Sequence, residues 1–373
     1  MLSLAGILSA FYLFLMIWLK KGLAKTDPHT QSDRTSPHQV SVVIAARNEA
    51  ANLPDLIKSL RGQTFPNENW EVIIADDRST DDTSRVLADL AQDWSQLKIV
   101  SVSHTPTDWS GKKWALQQAL DAAQGAIILQ TDADCRPPKN WVKTMVREFA
   151  DPHLGMLCGP APLEAGLSKW DILFGIESLA QDALSAGGLG NGWVLSCTGR
   201  NMAFRRQVFD EVKGYTDIAQ YPSGDDDLLM QKVATKTNWD IRFLTDEQVS
   251  VPSPPPESWK QFYQQRLRFA SKGLAYYRLS TTDQLRWIMP FIYIVNFSIC
   301  LTLLRGSGLE ENTIWWPLIL KSLGDFLLVK EFFRKLNRTL RFDYFILLAV
   351  LHPFYVTIFG ALGSFMPVRW KDS

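Results

Sequence analysis

The sequence predicts an α/β domain on a mostly parallel sheet with helices on both faces, flanked by apolar helices at the two ends of the chain. Three observations lead there. From Val40 onward, short apolar runs alternate with segments of helical period. Uncharged runs long enough to cross a bilayer lie at Leu2–Leu19 and again after residue 286. Acidic pairs fall where apolar runs end, which is where parallel α/β sheets bind ligands.

Leu2–Leu19 contains no charged residue, and Lys20, Lys21 and Lys25 follow it. At 1.5 Å per residue such a run just covers about 30 Å of hydrocarbon. Phe11, Tyr12, Phe14, Leu15, Met16, Ile17 and Trp18 leave it no polar face. A secretory signal carries its positive residues before the apolar run. The order here predicts a signal anchor, residues 1–20, with its N-terminus outside and its lysine end in the cytosol. A linker at 21–39 leads to the α/β domain at 40–257.

Within that domain Val40–Ala46 is a first strand, followed by a helix over Glu49–Leu60 with Leu53, Leu56, Ile57 and Leu60 on one face. Glu71–Ala75 is a second strand, and Ser79–Asp82 reads as the cap of a helix running to Trp94. Lys98–Val102 is a third strand, Trp114–Ala123 a helix and Ala126–Gln130 a fourth strand. Near-continuous apolar strands of this kind belong to a sheet covered on both faces. The chain has no G-x-G-x-x-G and no G-x-x-x-x-G-K-[ST], so the dinucleotide and P-loop fingerprints are absent.

Pro252–Pro256 separates the domain from a basic, aromatic stretch at 258–286. Ser258–Trp287 holds six basic residues and one acidic, with Trp259, Phe262, Tyr263, Tyr276 and Tyr277 among them. Such a segment before an apolar run reads as interfacial helices on anionic lipid. About three C-terminal transmembrane helices follow over 287–365: Trp287–Leu304, Ile314–Val329 and Tyr344–Gly360. The second contains Lys321 and Asp325, four apart and expected to pair on one helix face. The loop at 330–341 has five basic residues and one acidic, and 305–313 has one basic and two acidic. The positive-inside rule puts the first in the cytosol and the second outside. The expected location is the inner (plasma) membrane, multi-pass, with the α/β domain cytosolic.

Composition narrows the function. The 39 basic and 39 acidic residues cancel, which argues against a nucleic-acid binder. Cys135, Cys158, Cys197 and Cys300 form no C-x-x-C pair and the five histidines are scattered, so neither a zinc site nor a disulfide framework is expected. The carboxylates carry more. The second strand ends in Asp76–Asp77, the fourth in Thr131–Asp132–Ala133–Asp134, and a later loop reads Ser223–Gly224–Asp225–Asp226–Asp227. Residues two apart on an extended segment point the same way, so Asp132 and Asp134 can meet one ligand. Hard oxygen ligands suit Mg²⁺ or Mn²⁺, which keep positions open for phosphates.

In sequence order, these blocks resemble a family 2 glycosyltransferase of GT-A fold. The resemblance rests on Val40–Glu49, Ile73–Asp81, Gly111–Leu116, Thr131–Asp134, Gly199–Phe204 and Gly224–Asp226. Gln264–Phe269 resembles the Q-x-x-R-W motif of its membrane-bound members, and the likeness covers about residues 40–272. It implies that Ala45, Arg47 and Glu49 line a nucleoside pocket and that Asp77, with Asp76 beside it, binds the base. Lys112 would approach the diphosphate or donor sugar, Asp132 would face the ribose and donor, and Asp134 would hold the metal. Asp226, with Asp225 next to it, would supply the general base. Gln265, Arg268 and Phe269 would lie near the diphosphate and the acceptor entrance. Phe269 stands where the family has Trp, which keeps an aromatic face but removes the indole N–H donor.

The implied activity is inverting, metal-dependent transfer of a sugar from a nucleotide-sugar to a membrane lipid or lipid-linked acceptor at the cytosolic face. The alternatives are a processive polysaccharide synthase, a non-catalytic membrane protein with a nucleotide-binding domain, and a nucleotidyltransferase on the same sheet type. The neutral total also conceals a sorted chain. Residues 40–257 carry twenty basic and thirty acidic residues, whereas the interfacial stretch and the 330–341 loop are net positive.

Overall fold

In the computed structural model the described residues are 4–28, 39–164, 166, 168–304 and 315–363. Most of the linker and the whole 305–313 loop lie outside them. They form two compact units that interleave in sequence. One is an α/β unit, made of the described residues of Asp27–Ala165 and Ser196–Pro254. The other is a helical unit, made of the described residues of Met1–Thr26, Gly166–Leu195 and Pro255–Val368.

In chain order the elements begin with α1 (Leu4–Gly22), β1 (Val40–Ala46), α2 (Leu53–Arg61), β2 (Trp70–Asp77), α3 (Thr83–Gln92) and β3 (Leu97–Val102). They continue with α4 (Gly111–Ala122), β4 (Ile127–Gln130), α5 (Trp141–Glu148), β5 (Leu154–Cys158), α6 (Lys169–Gly190), β6 (Met202–Arg205) and α7 (Arg206–Glu211). Next come α8 (Asp227–Lys236), β7 (Asp240–Phe243), α9 (Trp259–Ala270), α10 (Ala275–Arg278), α11 (Asp283–Leu304), α12 (Trp316–Lys335) and α13 (Phe342–Gly363).

The α/β unit is a seven-stranded sheet in the order β3-β2-β1-β4-β6-β5-β7. β1, β2, β3 and β4 run parallel, as do β5 and β7, while β6 is antiparallel to both of its neighbours. The mostly parallel sheet expected from the apolar strands is therefore present. β1 is buried along its whole length, as a strand covered on both faces requires. Its one polar residue, Ser41, is satisfied in the core: its hydroxyl donates to Glu71 Oε1 at 2.7 Å and accepts from the Gly125 N–H at 2.8 Å.

The core continues through Ile44, Ile74, Leu129, Trp141 and Phe149, each buried. Each such side chain contributes about 1.5–3 kcal/mol by leaving water. α2 shows how pattern sets packing, since Leu53, Leu56, Ile57 and Leu60 are its buried residues. It starts four residues later than its spacing predicts. Residues 49–52 form a lead-in turn instead, in which the Glu49 carbonyl accepts from the Asn52 and Leu53 N–H groups at 2.9 and 3.0 Å.

Register brings the ends of three strands together. Ala46 on β1 faces Asp76 on β2, and Val43 faces Gln130, the last residue of β4. The segments after β1, β2 and β4 thus emerge side by side. Pro252–Pro256, expected as a spacer, is partly built into the unit. Ser253 pairs with Leu163 in an isolated bridge and is 1 % exposed.

The helical unit contains three helices long and apolar enough to cross a membrane: Leu4–Lys25, Asp283–Leu304 and Phe342–Gly363. Two of the three expected C-terminal spans are thus found by length and apolarity. α12, at 20 residues, has the length but carries Lys321 and Asp325. The expected pair between them forms at 2.6 Å, with Lys321 fully buried. Tyr12 donates to the other Asp325 oxygen at 2.6 Å, and Lys321 lies 2.9 Å from His352 Nδ1.

α6 belongs to this unit although it lies between β5 and β6 in the chain. It meets α1 at backbone distance: a methyl group on Gly187 would sit 2.5 Å from the Leu19 carbonyl oxygen. Close approach through small residues is how helices pack where no water drives association. Beyond the glycines, Asn191 donates to the Trp18 carbonyl at 2.8 Å, and the Trp18 and Trp193 rings lie 4.5 Å apart.

Candidate active site

The segments after β1 and β2 are latched by short side chains. Asn48 Oδ1 accepts from the Thr80 N–H at 2.8 Å, and Ser79 Oγ accepts from the Asn48 N–H at 2.9 Å. Thr83 Oγ1 accepts from the Glu49 N–H at 2.8 Å, and Asp81 Oδ2 from the Ala50 N–H at 3.2 Å. The Ser79–Asp82 run was expected to cap a helix, and only Asp81 does so, accepting from the Thr83 N–H at 3.0 Å. Asp82 makes no side-chain cap bond and pairs with Arg85 instead. The run's larger structural role is to hold the backbone around Arg47–Ala50.

Behind that latch, Asp77 is fully buried between two guanidinium groups. Arg78 Nε donates to Oδ1 at 2.8 Å, and Arg47 Nη1 lies 3.5 Å from Oδ2. The hydrogen bond to Asp77 is the largest influence holding the Arg78 guanidinium above its ordinary pKa. Asp76 accepts from the Ser84 hydroxyl and from the Ser79 N–H. Ala45 is buried in β1 beside Ala75, and Glu49 accepts from Asn52 Nδ2 at 2.6 Å. These candidates therefore share one corner of the sheet, with Asp77 at its base.

The second corner joins three distant blocks. Lys112, in the first turn of α4, places Nζ 2.9 Å from Asp132 Oδ1 and 2.9 Å from Asp225 Oδ2. Asp225 is held from behind by Gln130 Nε2 at 3.2 Å, and Tyr215 donates to Gln130 Oε1 at 3.2 Å. Burial, then Asp225 and Asp226, push the Tyr215 phenol well above its ordinary pKa, which keeps it a donor. Gly199 fits tightly here, because a Cβ would lie 2.9 Å from Asp225 Oδ2. Lys113 points elsewhere. Its buried ammonium donates to the carbonyls of Tyr221 and Ser223, the latter at 2.8 Å, and so clamps the loop that carries the aspartates.

The three aspartates of that loop differ. Asp225 is 4 % and Asp227 1 % exposed, whereas Asp226 is half-buried. Asp226 caps α8, accepting from the Asp227 N–H at 2.7 Å and from the Gly199 N–H at 3.0 Å. The environment of the neighbouring thiols disfavours their thiolate forms. Burial first, then Cys158 and the adjacent carboxylates, hold Cys197 well above the ordinary thiol pKa. Burial, then Asp134 and Asp132, do the same for Cys135.

Asp132 and Asp134 sit in a turn rather than on an extended segment, since the Cys135 N–H donates to the Asp132 carbonyl at 3.1 Å. Ala133 between them is buried in the core, while both aspartates are half-buried. The turn therefore anchors its middle residue and leaves both flanking carboxylates accessible. Among the described residues no three His, Cys, Asp or Glu side chains converge as a complete metal cage. The accessible carboxylates still fit a hard divalent cation that takes its remaining ligands from phosphate and water.

Gln265, Arg268 and Phe269 lie on α9 in the helical unit. Arg268 stacks on the Phe269 ring at 5.5 Å, and Gln265 Oε1 is buried without a hydrogen-bond partner. Between them is a residue that the motif reading passed over. Arg266 is buried and makes two bonds to Glu177 on α6, at 2.8 and 2.7 Å. The rings of Phe174, Phe262, Phe269 and Tyr355 surround it at 5.2–5.8 Å. It fixes the orientation of α9. Sequence reasoning also missed Lys113, Gln130, Gly199 and Tyr215, whose partners lie far off in the chain. For Lys113 alone there was a local signal: adjacent residues on a helix face different ways.

Comparison with known proteins bears on the α/β unit. Residues 41–213 match the model of glycosyl transferase family 2. A beta-monoglucosyldiacylglycerol synthase of Synechocystis sp. is 29 % identical over 259 residues, covering 67 % of this chain and 51 % of that protein. The synthase of the same name from Nostoc sp. is 32 % identical over 216 residues, covering 55 % of this chain and 43 % of that protein. The chain spans about half the length of these relatives. Among solved structures, the mannosyltransferase PcManGT from Pyrobaculum calidifontis, in complex with GDP-Man and Mn²⁺, aligns with a TM-score of 0.60. It is 18 % identical, with 97 % of this chain and 96 % of that chain covered, and it supports the GT-A fold.

Proposed function

From the premise that residues 41–213 are a glycosyltransferase family 2 domain, we propose that the chain moves one sugar from a nucleotide-sugar to a lipid or lipid-linked acceptor at the cytosolic face. The observation that carries the reading is Lys112. One ammonium group joins the carboxylate after β4 to the carboxylate before α8, and so gathers three separate sequence blocks into one site. The lipid acceptor is supported by the diacylglycerol named in two relatives and by the aromatic, basic face of α9 and α10. Trp259, Tyr263, Leu274 and Tyr277 are exposed there, as on a helix lying in a bilayer interface.

The corner formed by Arg47, Asp76 and Asp77 is the nucleoside end. Asp77, with Asp76 beside it, forms the acidic pair that meets the base, and Asp77 also holds Arg47 and Arg78 in place. Asp132 and Asp134 would hold the divalent cation, which supplies positive charge to the leaving diphosphate when bound. Lys112 adds a second positive charge from the protein itself. Asp225 orients Lys112. That leaves Asp226 as the base, because its carboxylate alone among the three is half open. It takes the proton of the acceptor hydroxyl as that oxygen bonds to the anomeric carbon. The bond from that carbon to the diphosphate breaks, its electron pair leaves with the diphosphate, and the configuration inverts.

The proposed topology has four crossings. α12 joins the three apolar helices because its two mid-helix charges are paired inside the unit rather than exposed. The N-terminus is then outside, with the α/β unit and the 330–341 loop cytosolic. A cysteine placed at exposed Thr339 should react with an impermeant maleimide only in inside-out vesicles; labelling in right-side-out vesicles would reverse the topology. The activity itself is tested by incubating purified protein in lipid with a panel of nucleotide-sugars and Mg²⁺ or Mn²⁺. Nucleoside diphosphate release that depends on one donor and on added diacylglycerol is expected, and no release with any donor would overturn the reading.

A further inference from the structure

The helical unit contains a cleft walled by α1, α6, α12 and α13. Two of these, α1 and α13, lie in helices long and apolar enough to cross a membrane. Met16, Ile176, Leu184, Leu328 and Leu348 make most of the wall. Ala180 and Ala349 keep the space between them clear, and Ala180, Leu184 and Leu348 remain half-exposed. Walls of this kind give water no hydrogen-bond partners and suit a flexible hydrocarbon chain.

The polar side of the cleft defines what the chain is attached to. Glu177 and Gln181, one turn apart on α6, face it, as do Tyr12, Asp325 and His352. Lys321 has only hydrogens to offer, so His352 Nδ1 accepts from it and the ring hydrogen lies on Nε2. Gln181 Nε2 donates to Glu177 Oε1, and both oxygens of Glu177 and of Asp325 are engaged, so the groups left for a ligand are the rest of the Gln181 amide and the imidazole N–H of His352. The two nearby cations are already engaged. Arg266 is bidentate to Glu177, and Lys321 bonds to Asp325. The charges balance, and the carboxylates disfavour a phosphate headgroup.

We propose that this cleft binds one acyl chain of an uncharged, hydroxyl-bearing membrane lipid, with an ester carbonyl of the lipid accepting from Gln181 and His352 and its hydroxyl left free for the transfer. The proposal rests on the reading that α1, α12 and α13 cross the bilayer, with α6, both of whose ends join the α/β unit, packed on them without crossing it. It names the acceptor class as a neutral lipid alcohol such as a diacylglycerol, in preference to a lipid phosphate.

The test uses the full chain in phosphatidylcholine nanodiscs and a diacylglycerol with a photoreactive group on one acyl chain. Cross-linked peptides should come from α6 and α13, around Leu184 and Leu348. Unlabelled diacylglycerol should displace the probe at least tenfold more effectively than phosphatidic acid. Ala180→Trp and Leu348→Trp, on opposite walls, should each reduce labelling at least tenfold while nucleotide binding by the α/β unit persists, which also reports folding. Labelling unchanged in both variants, labelling spread over the outer faces of the spans, or equal displacement by phosphatidic acid would each overturn the proposal. Labelling as expected, with no nucleotide release from any donor, would leave the cleft standing and remove the transferase reading.

Discussion

Lys112 and Lys321 each hold carboxylates at hydrogen-bond distance, and they do opposite work. Lys112 in the α/β unit bridges Asp132 and Asp225, with Lys112 12 % and Asp132 28 % exposed. Lys321 in the helical unit is fully sealed, bonded to Asp325 and His352, with Tyr12 closing the other side of Asp325. A charged group left within reach of solvent can meet a ligand, whereas one enclosed by its own protein can only hold helices together. Burial, more than residue type, separates the two roles.

That contrast can be broken by substitution. The largest effect is expected at Lys321→Met, which strands the Asp325 charge inside the bundle. Loss of one partner of a buried pair costs about 3–5 kcal/mol, read as a large fall in Tm. Adding Asp325→Leu should recover most of it, and a single variant as stable as the parent would refute the sealed pair. Lys112→Met should shift the balance toward rate. It should lower kcat by about 10²–10³, the effect of removing one group that stabilises developing charge, with a smaller fall in Tm than Lys321→Met, because Asp132 stays within reach of water and Asp225 keeps Gln130. A variant that unfolds but keeps its rate would reverse the assignments.

The smallest effect sharpens the comparison with a third lysine. Lys232 is nearly buried, and that burial depresses its pKa from 10.5 to about 8, against the pull of Asp217. Between those values the folded state carries the neutral amine while the unfolded state is still protonated. The unfolded state therefore binds more protons, and stability from this group rises as pH goes from about 8 to about 10.5. Denaturation midpoints across that range should climb less in Lys232→Met than in the parent. Identical slopes would remove the burial argument.

Much of the fold was legible because local rules and packing agree. β1 lies where its near-continuous apolar run put it, since a strand covered on both faces needs no alternation. The Lys321–Asp325 pair was legible from its four-residue spacing. α6 was not. Between two strands it reads as one more crossover helix, and the glycines that let it touch α1 gain meaning only once Leu19 and Gly22 are beside them. At the candidate site the aspartates stood out by their positions at strand ends. Their division of labour was hidden, because Asp225 is identified as an orienting group by Lys112 and Gln130, both distant in sequence. Arg266 was overlooked for the same reason: Glu177 and Tyr355, which enclose it, lie on other helices.

The central claim is that Asp226 takes the proton of a lipid hydroxyl during sugar transfer. Mass spectrometry of the lipid product, from purified protein in diacylglycerol-containing lipid with its nucleotide-sugar donor, tests it most directly. The parent should yield a lipid carrying one added sugar. Asp226→Asn should yield none while still binding the donor with similar affinity. Product at the parental rate from Asp226→Asn would contradict the account.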